Sequence, residues 1–240
     1  MITLGLDTCE ARGSVAVWRD GTLAALQDHE TAEDYSSWLL PAVEKSLREA
    51  GAMLLKVDVF AVATGPGSFT ALRVGLTAVK AWAELYQKPV VGVSRLEVMA
   101  RTLPDGGPGY VAASFDARRG QIFGGMFRAE ADGCWRCIEP EIVIGADAFV
   151  AGVAERAGTE TVRWISLDPQ LIEVAPSWKT RESRGEAVVP CERGLAAGVA
   201  ALGEARARRG EVSDALHLDA NYVRRSDAEL FWKDPGSHER

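Results

Sequence analysis

The chain has 240 residues, 47% of them hydrophobic, enough to bury one large core or two smaller ones. Its 27 basic and 34 acidic residues leave a net charge of −7, and counterion release on nucleic acid needs a basic surface, so the chain is not built to grip RNA alone. No run approaches the ~20 apolar residues that span a bilayer. The opening "MITLGLDTCEARGSVAV" lacks the basic region of a signal peptide and reads as a strand, which predicts a cytoplasmic protein with no membrane contact.

In chain order, "ITLGLD" (Ile2–Asp7) and "SVAVWR" (Ser14–Arg19) are apolar runs separated by a polar, glycine-containing turn, the pattern of a hairpin. Asp20-Gly21 is a two-residue turn into a third strand, "TLAALQDH". "DYSSWLLPAVEKSLREAG" has helical spacing with Gly51 as its stop. "VDVFAVAT" reads as a buried strand. "GPGSFTALRVGLTAVKAWAEL" (Gly65–Leu85) is a Gly-Pro-Gly turn opening into a helix. The strand "PVVGVS" and the short helix "SRLEVMARTL" complete the order βββαβαβα.

"PDGGPG" (Pro104–Gly109) breaks the chain, and the pattern restarts after it. "YVAASFDARRGQIFGGMFRAE" is again strand, turn and strand. "CIEPEIVIG" follows, then a helix near Ala146–Arg156, the strand "VRWIS", a loop from Pro176 to Pro190, and a late helix in "ERGLAAGVAALGEARARRG". Each half has a first strand ending in Asp (Asp7, Asp116) and a Gly (Gly13, Gly120) before the return strand. This predicts two related lobes, residues 1–103 and a shorter, degenerate 110–240. The plan resembles that of the actin, Hsp70 and sugar-kinase superfamily, which implies an α/β, two-lobed actin-like (RNase H-like) fold with a nucleotide's phosphates held between the lobes.

The chemistry of such a site is thin. A phosphate-gripping hairpin needs glycine amides beside the Asp, but Thr8 and Cys9 follow Asp7 directly and "DARRG" is equally bulky. Asp7, Thr8 and Asp116 are therefore vestigial phosphate-site candidates. The Gly65–Ser68 turn lacks the Lys of a P-loop, and Ser68 or Thr70 suffices to cap the helix. Cys134 and Cys137 form a lone C-x-x-C, while His29, His217 and His238 are scattered, so no metal site is expected. "DARR" and "YVRR" are the local basic patches and read as solvated loops. No catalytic residues are predicted.

The helix from Phe69 is more informative. Arg73, Thr77, Lys80 and Glu84 form a narrow polar stripe, and apolar residues cover an arc of about 220°. A helix packed on one sheet needs little more than about 100°, so this one is expected to be covered from two directions. Ala71 and Gly75 are small and one turn apart, which favours close approach. The preceding helix has a similarly wide face with Trp38 at its edge. Two such helices suggest a partner-binding pair.

The motifs "LGLDT" (Leu4–Thr8), "YSSWLLP" (Tyr35–Pro41), "GPGSFTALRVGL" (Gly65–Leu76), "DARRGQIF" (Asp116–Phe123) and "YVRRSDAE" (Tyr222–Glu229) resemble, in that order, the TsaB (YeaZ-like) family. The resemblance covers nearly the whole chain and is weakest from about Ala129 to Glu211. It implies a non-catalytic activating subunit of the complex that makes N6-threonylcarbamoyladenosine at position 37 of tRNA. That subunit binds TsaD through its first two helices and works with TsaE, meets tRNA through the complex, and is open to homodimerising alone. It has no cofactor of its own; a nucleotide at the subunit interface stays open.

The interface expected is Tyr35, Trp38, Leu39, Ala71, Leu72, Arg73, Gly75, Leu76, Val79 and Lys80, with Leu76→Glu abolishing association while sparing the fold. The family usually has His at position 35 and Gly at 71, so Tyr35 and Ala71 are departures. The family's former classing with glycoprotein endopeptidases finds no nucleophile–base pair or metal set here. The alternatives are a nucleotide-dependent phosphotransferase using Asp7 and Asp116, and a self-associating structural protein.

Overall fold

The computed structural model describes residues 1–29, 34–104, 106–131 and 135–224. The first lobe runs β1 (Ile2–Asp7), β2 (Ser14–Arg19), β3 (Thr22–Asp28), α1 (Tyr35–Glu49), a 3-10 turn (Leu54–Lys56), β4 (Val59–Gly65), α2 (Phe69–Tyr86), β5 (Val90–Ser94) and α3 (Arg95–Thr102). The second continues with β6 (Gly109–Arg118), β7 (Gln121–Ala129), β8 (Trp135–Cys137), β9 (Ile142–Ile144), α4 (Ala146–Ala157), β10 (Val162–Ser166), α5 (Pro169–Glu173), α6 (Trp178–Glu182), β11 (Val188–Pro190) and α7 (Ala196–Arg208). The first sheet has the order β3-β2-β1-β4-β5. The second has the order β11-β10-β6-β7-β8, with β9 also paired to β7. In both, an antiparallel hairpin is joined to parallel neighbours, β1 with β4 and β6 with β10.

Strand alternation sorts the side chains into layers. Leu4, Leu6, Phe60 and Val62 share a cluster with Leu39, Val43, Leu76 and Val79 of α1 and α2. The opposite face contributes Val59, Ala61 and Ala63 to a cluster that also holds Leu96 and Met99 of α3, Val199 and Leu202 of α7, and Val111, Ala113 and Phe115 of β6. Ala112, Ile122 and Trp164 on the far face of the second sheet pack with Phe149, Ile172 and Trp178 of α4, α5 and α6. The layers are thus α1/α2, first sheet, α3/α7, second sheet, α4–α6, and the central helical layer is common to both lobes.

Two expectations are corrected. The segment 196–208, assigned by position to the second lobe, packs as α7 on the first sheet: a Cβ on Gly5 would meet Ala200 Cβ at 2.6 Å, and one on Gly203 would meet Ala61 Cβ at 2.4 Å. The stretch from Pro176 to Pro190 contains α6 and β11 rather than a loop. A buried pair holds it, with Arg181 Nη2 and Nε donating to Glu186 Oε1 and Oε2 at 2.6 and 2.9 Å. Glu186 also accepts from Val162 N at 3.0 Å and Trp164 Nε1 at 2.6 Å, so its charge is satisfied on all sides. Cys134 of the C-x-x-C lies outside the described residues, and Cys137 Sγ lies 2.9 Å from the Glu139 carbonyl oxygen.

The chain after α7 straps the lobes together. Ser213 bridges Val90, Asn221 N donates to Thr64 O at 2.7 Å, and Arg224 donates to Ala117 O and Gln121 Oε1, each at 2.7 Å. Glu141 of the second lobe accepts from Ser94 Oγ and from Asn221 Nδ2. Burial pushes the Glu141 carboxyl above its ordinary value of 4.5 despite these two bonds.

Two stability predictions follow from this packing. Gly203→Ala should cost about 1–3 kcal/mol in urea unfolding through overpacking, whereas Gly152→Ala, with open space around it, should be neutral or stabilising. A carboxyl raised in the folded state binds its proton more readily there than in the unfolded chain, so it loses stability as pH climbs from 4.5 through the folded value. Relative to the parent, Glu141→Gln should therefore be more favourable at pH 7 than at pH 4, read by urea unfolding at both.

Candidate functional site

Two surfaces carry the predicted residues: the outer face of α1 and α2, and the cleft between the lobes. Leu39, Leu72, Leu76, Val79 and Ala71 are buried in this chain's own core, with Leu76 only 6% exposed. Gly75 is buried too, and a Cβ there would meet Thr8 Oγ1 at 2.5 Å. These residues seat the helices on the sheet and are not open to a second protein, which corrects the interface expected from pattern alone. It also removes the premise that Leu76→Glu would spare the fold.

The surplus apolar arc is on the surface. Val74, Ala78 and Trp82 are half-buried, while Ala81, Leu85 and Leu40 are exposed. Between the helices runs a groove of about 570 Å³, lined by Leu40, Val43 and Leu47 of α1, Met53 and Leu54 at the following turn, and Trp82 of α2, with Glu44 and Arg48 of α1 as its charged members. Leu40 is 59% and Met53 63% exposed at its rim. Trp38 and Tyr35 are half-buried at the start of α1. The Tyr35 hydroxyl donates to Glu10 O at 2.5 Å, and its ring stacks on His29 at 4.5 Å, so this departure ties α1 to the β1–β2 loop. Arg73 is exposed but engaged: its guanidinium lies 3.7 Å over the Phe69 ring and Nε donates to Tyr222 Oη at 3.3 Å. Lys80 is half-buried.

The cleft is about 900 Å³ and is walled by Cys9–Ala11, the start of α2, the 115–119 turn, and Asn221–Arg224. The Gly-Pro-Gly turn serves packing here. Gly65 has φ +120°, and a Cβ on it would meet Asn221 O at 2.8 Å. A Cβ on Gly67 would meet Cys9 O at 2.2 Å, and that same carbonyl accepts from Ser68 N at 2.7 Å. Ser68 makes no side-chain cap bond to α2.

Asp7, on the β1 face turned towards α3 and α7, is fully buried. Its Oδ1 accepts from Cys9 N at 2.9 Å and its Oδ2 from Arg95 Nε at 3.1 Å. Arg95 is also wholly buried and reaches Glu10 Oε2 at 2.8 Å. Burial opposes the Arg95 charge, but Asp7 and Glu10 more than offset it and leave its pKa raised. Asp116 spends its Oδ1 on Arg118 N at 2.7 Å and its Oδ2 on Arg118 Nη1 at 3.1 Å. Thr8 Oγ1 is buried against Gly75 with no hydrogen bond. Asp7, fully buried and ion-paired to Arg95, does not suit a magnesium–phosphate group, and Asp116 pairs with Arg118 at the cleft wall.

Among the described residues no cluster of His, Cys, Asp or Glu has metal-binding geometry, and no helix is long and apolar enough to cross a membrane. Burial raises the thiols of Cys9, Cys137 and Cys191, the opposite of what a nucleophilic thiolate requires. Arg95, Glu10, Arg193 and Asp168 were not anticipated from sequence. The available signal was an arginine at the start of the stripe Arg95, Val98, Met99, which otherwise reads as a core face.

The family model described as TsaD: tRNA N6-adenosine threonylcarbamoyltransferase matches residues 28–137. The tRNA threonylcarbamoyladenosine biosynthesis protein TsaB of Escherichia coli (strain K12) is 30% identical over 168 residues, 70% of this chain and 71% of that protein. A tRNA N6-adenosine threonylcarbamoyltransferase of Thermococcus sibiricus is 38% identical over 106 residues, 39% of this chain and 33% of its own length. The solved structure of YeaZ from Pseudomonas aeruginosa superposes with a TM-score of 0.75 at 27% identity, covering 92% of this chain and 99% of that one. The two-lobed architecture is the actin-like fold, and the chain belongs to the TsaB (YeaZ-like) family of tRNA threonylcarbamoyladenosine biosynthesis proteins.

Proposed function

We propose that the chain is the non-catalytic activating subunit of a tRNA threonylcarbamoyladenosine synthase, docking on TsaD through the outer face of α1 and α2. The observation that carries the reading is the exposed apolar arc of this helix pair, which a single-sheet packing leaves uncovered. Similarity to transferases named TsaD across one stretch supports a partner with a comparable lobe, whose own helix pair packs against this one. In this reading TsaE and tRNA join through the complex, the chain works in the cytoplasm without a cofactor of its own, and unpartnered chains pair through the same helices. A phosphotransferase role has no observation in its favour, because the oxygens of Asp7 and Asp116 are already engaged.

The interface is tested by Leu40→Glu and Met53→Glu, which place a charge on the groove rim at exposed positions. Each should weaken TsaD binding by at least about 30-fold with the thermal midpoint unchanged, as measured by titration calorimetry and thermal melts. Undiminished binding by both variants would remove the groove from the interface. Leu76→Glu should instead cost about 3–5 kcal/mol of fold stability, seen in urea unfolding of the isolated chain.

A further inference from the structure

The charged groups at the cleft floor form one connected series. Asp7 and Glu10 share Arg95, Glu10 Oε2 also meets Arg193 Nη1 at 3.2 Å, and Arg193 Nη2 donates to Asp168 Oδ1 at 2.9 Å. Asp168 Oδ2 then accepts from the Asp116 amide at 2.9 Å. Glu10 belongs to the first-lobe wall of the cleft and Asp116 to the second-lobe wall. Arg193 stands just ahead of α7, the helix that returns to the first sheet. Its planar fork holds one carboxylate with each terminal nitrogen, a geometry that a lysine cannot reproduce. The inner half of the series is dry, whereas Arg193 is 37% exposed and open to screening by salt.

We propose that Asp7, Arg95, Glu10, Arg193 and Asp168 form a built-in ionic latch that fixes the two walls of the cleft relative to each other, with Arg193 as its one link between lobes. The latch sets the width of the cleft from inside the chain and needs no bound ligand to bridge it. It also explains why a buried arginine stands at the start of α3, where an apolar residue would otherwise complete the core stripe.

Hydrogen–deuterium exchange of the full chain tests the latch. Arg193→Ala should speed exchange of the segment 115–119 about 3-fold while α1 and β10 stay unchanged, and Arg193→Lys should restore only part of the protection. Raising salt from about 0.05 to 1 M should speed the same segment in the parent chain but add nothing in Arg193→Ala. Should Arg193→Ala loosen the whole chain, Asp168→Asn decides, since it keeps an acceptor for the Asp116 amide and removes the charge; it should reproduce the local effect. Equal exchange of 115–119 in the parent and Asp168→Asn, or an identical salt response in the parent and Arg193→Ala, would overturn the latch.

Discussion

The structure turns on a carboxylate with no access to water. Strand alternation sends Asp7 into the layer closed by α3 and α7, while Leu4 and Leu6 face α1 and α2. An unpaired charge in such a layer costs several kcal/mol, so a cation must be built in, and Arg95 supplies it from the first residue of α3. The requirement spreads outward: Arg95 draws in Glu10, Glu10 draws in Arg193, and the chain of ion pairs ends on the second lobe at Asp168. The carboxylates at the floor of the cleft are thereby committed to internal structure.

With the inner face of the first sheet committed to α7 and the second lobe, its other face carries α1 and α2 on the outside of the molecule. Their inward residues satisfy the sheet, and among the described residues Leu40, Met53, Ala81 and Leu85 stay exposed on the outer arc. A charged shell would be the ordinary solution for a surface helix pair. Under the proposed function the apolar residues of this face take a second protein, and a partner with a similar lobe offers a matching pair of helices. In that proposed role the chain acts through this surface, while the floor of the cleft is held by its own charged side chains.

Much of this was legible in the sequence. The first lobe's element order, the repeat of its opening hairpin and the over-wide arc of α2 follow from period-2 and period-3.6 patterns and from turn residues, which are local signals. The family motifs added the fold and the family. Which apolar residues of α2 point inward was not legible, because an arc of that width has no unique buried side until a sheet is placed beneath it. Leu76 and Val79 read as interface for that reason. The return of α7 to the first sheet was hidden because only tertiary contact, Gly5 on Ala200 and Gly203 on Ala61, reveals it. Arg95 and Glu186 were hidden likewise, since a buried charge looks like a surface charge until its partner across the fold is known.

The most direct test of the activating role is a reconstitution of TsaD, TsaE, the enzyme that makes threonylcarbamoyl-adenylate, and a substrate tRNA, with and without this chain, scored for threonylcarbamoyladenosine at position 37. An activating subunit yields modified tRNA only when it is present with the others and none when it is supplied alone with the adenylate. Equal modification with and without it, or modification by the chain in the absence of TsaD, would contradict the role assigned to the helix pair.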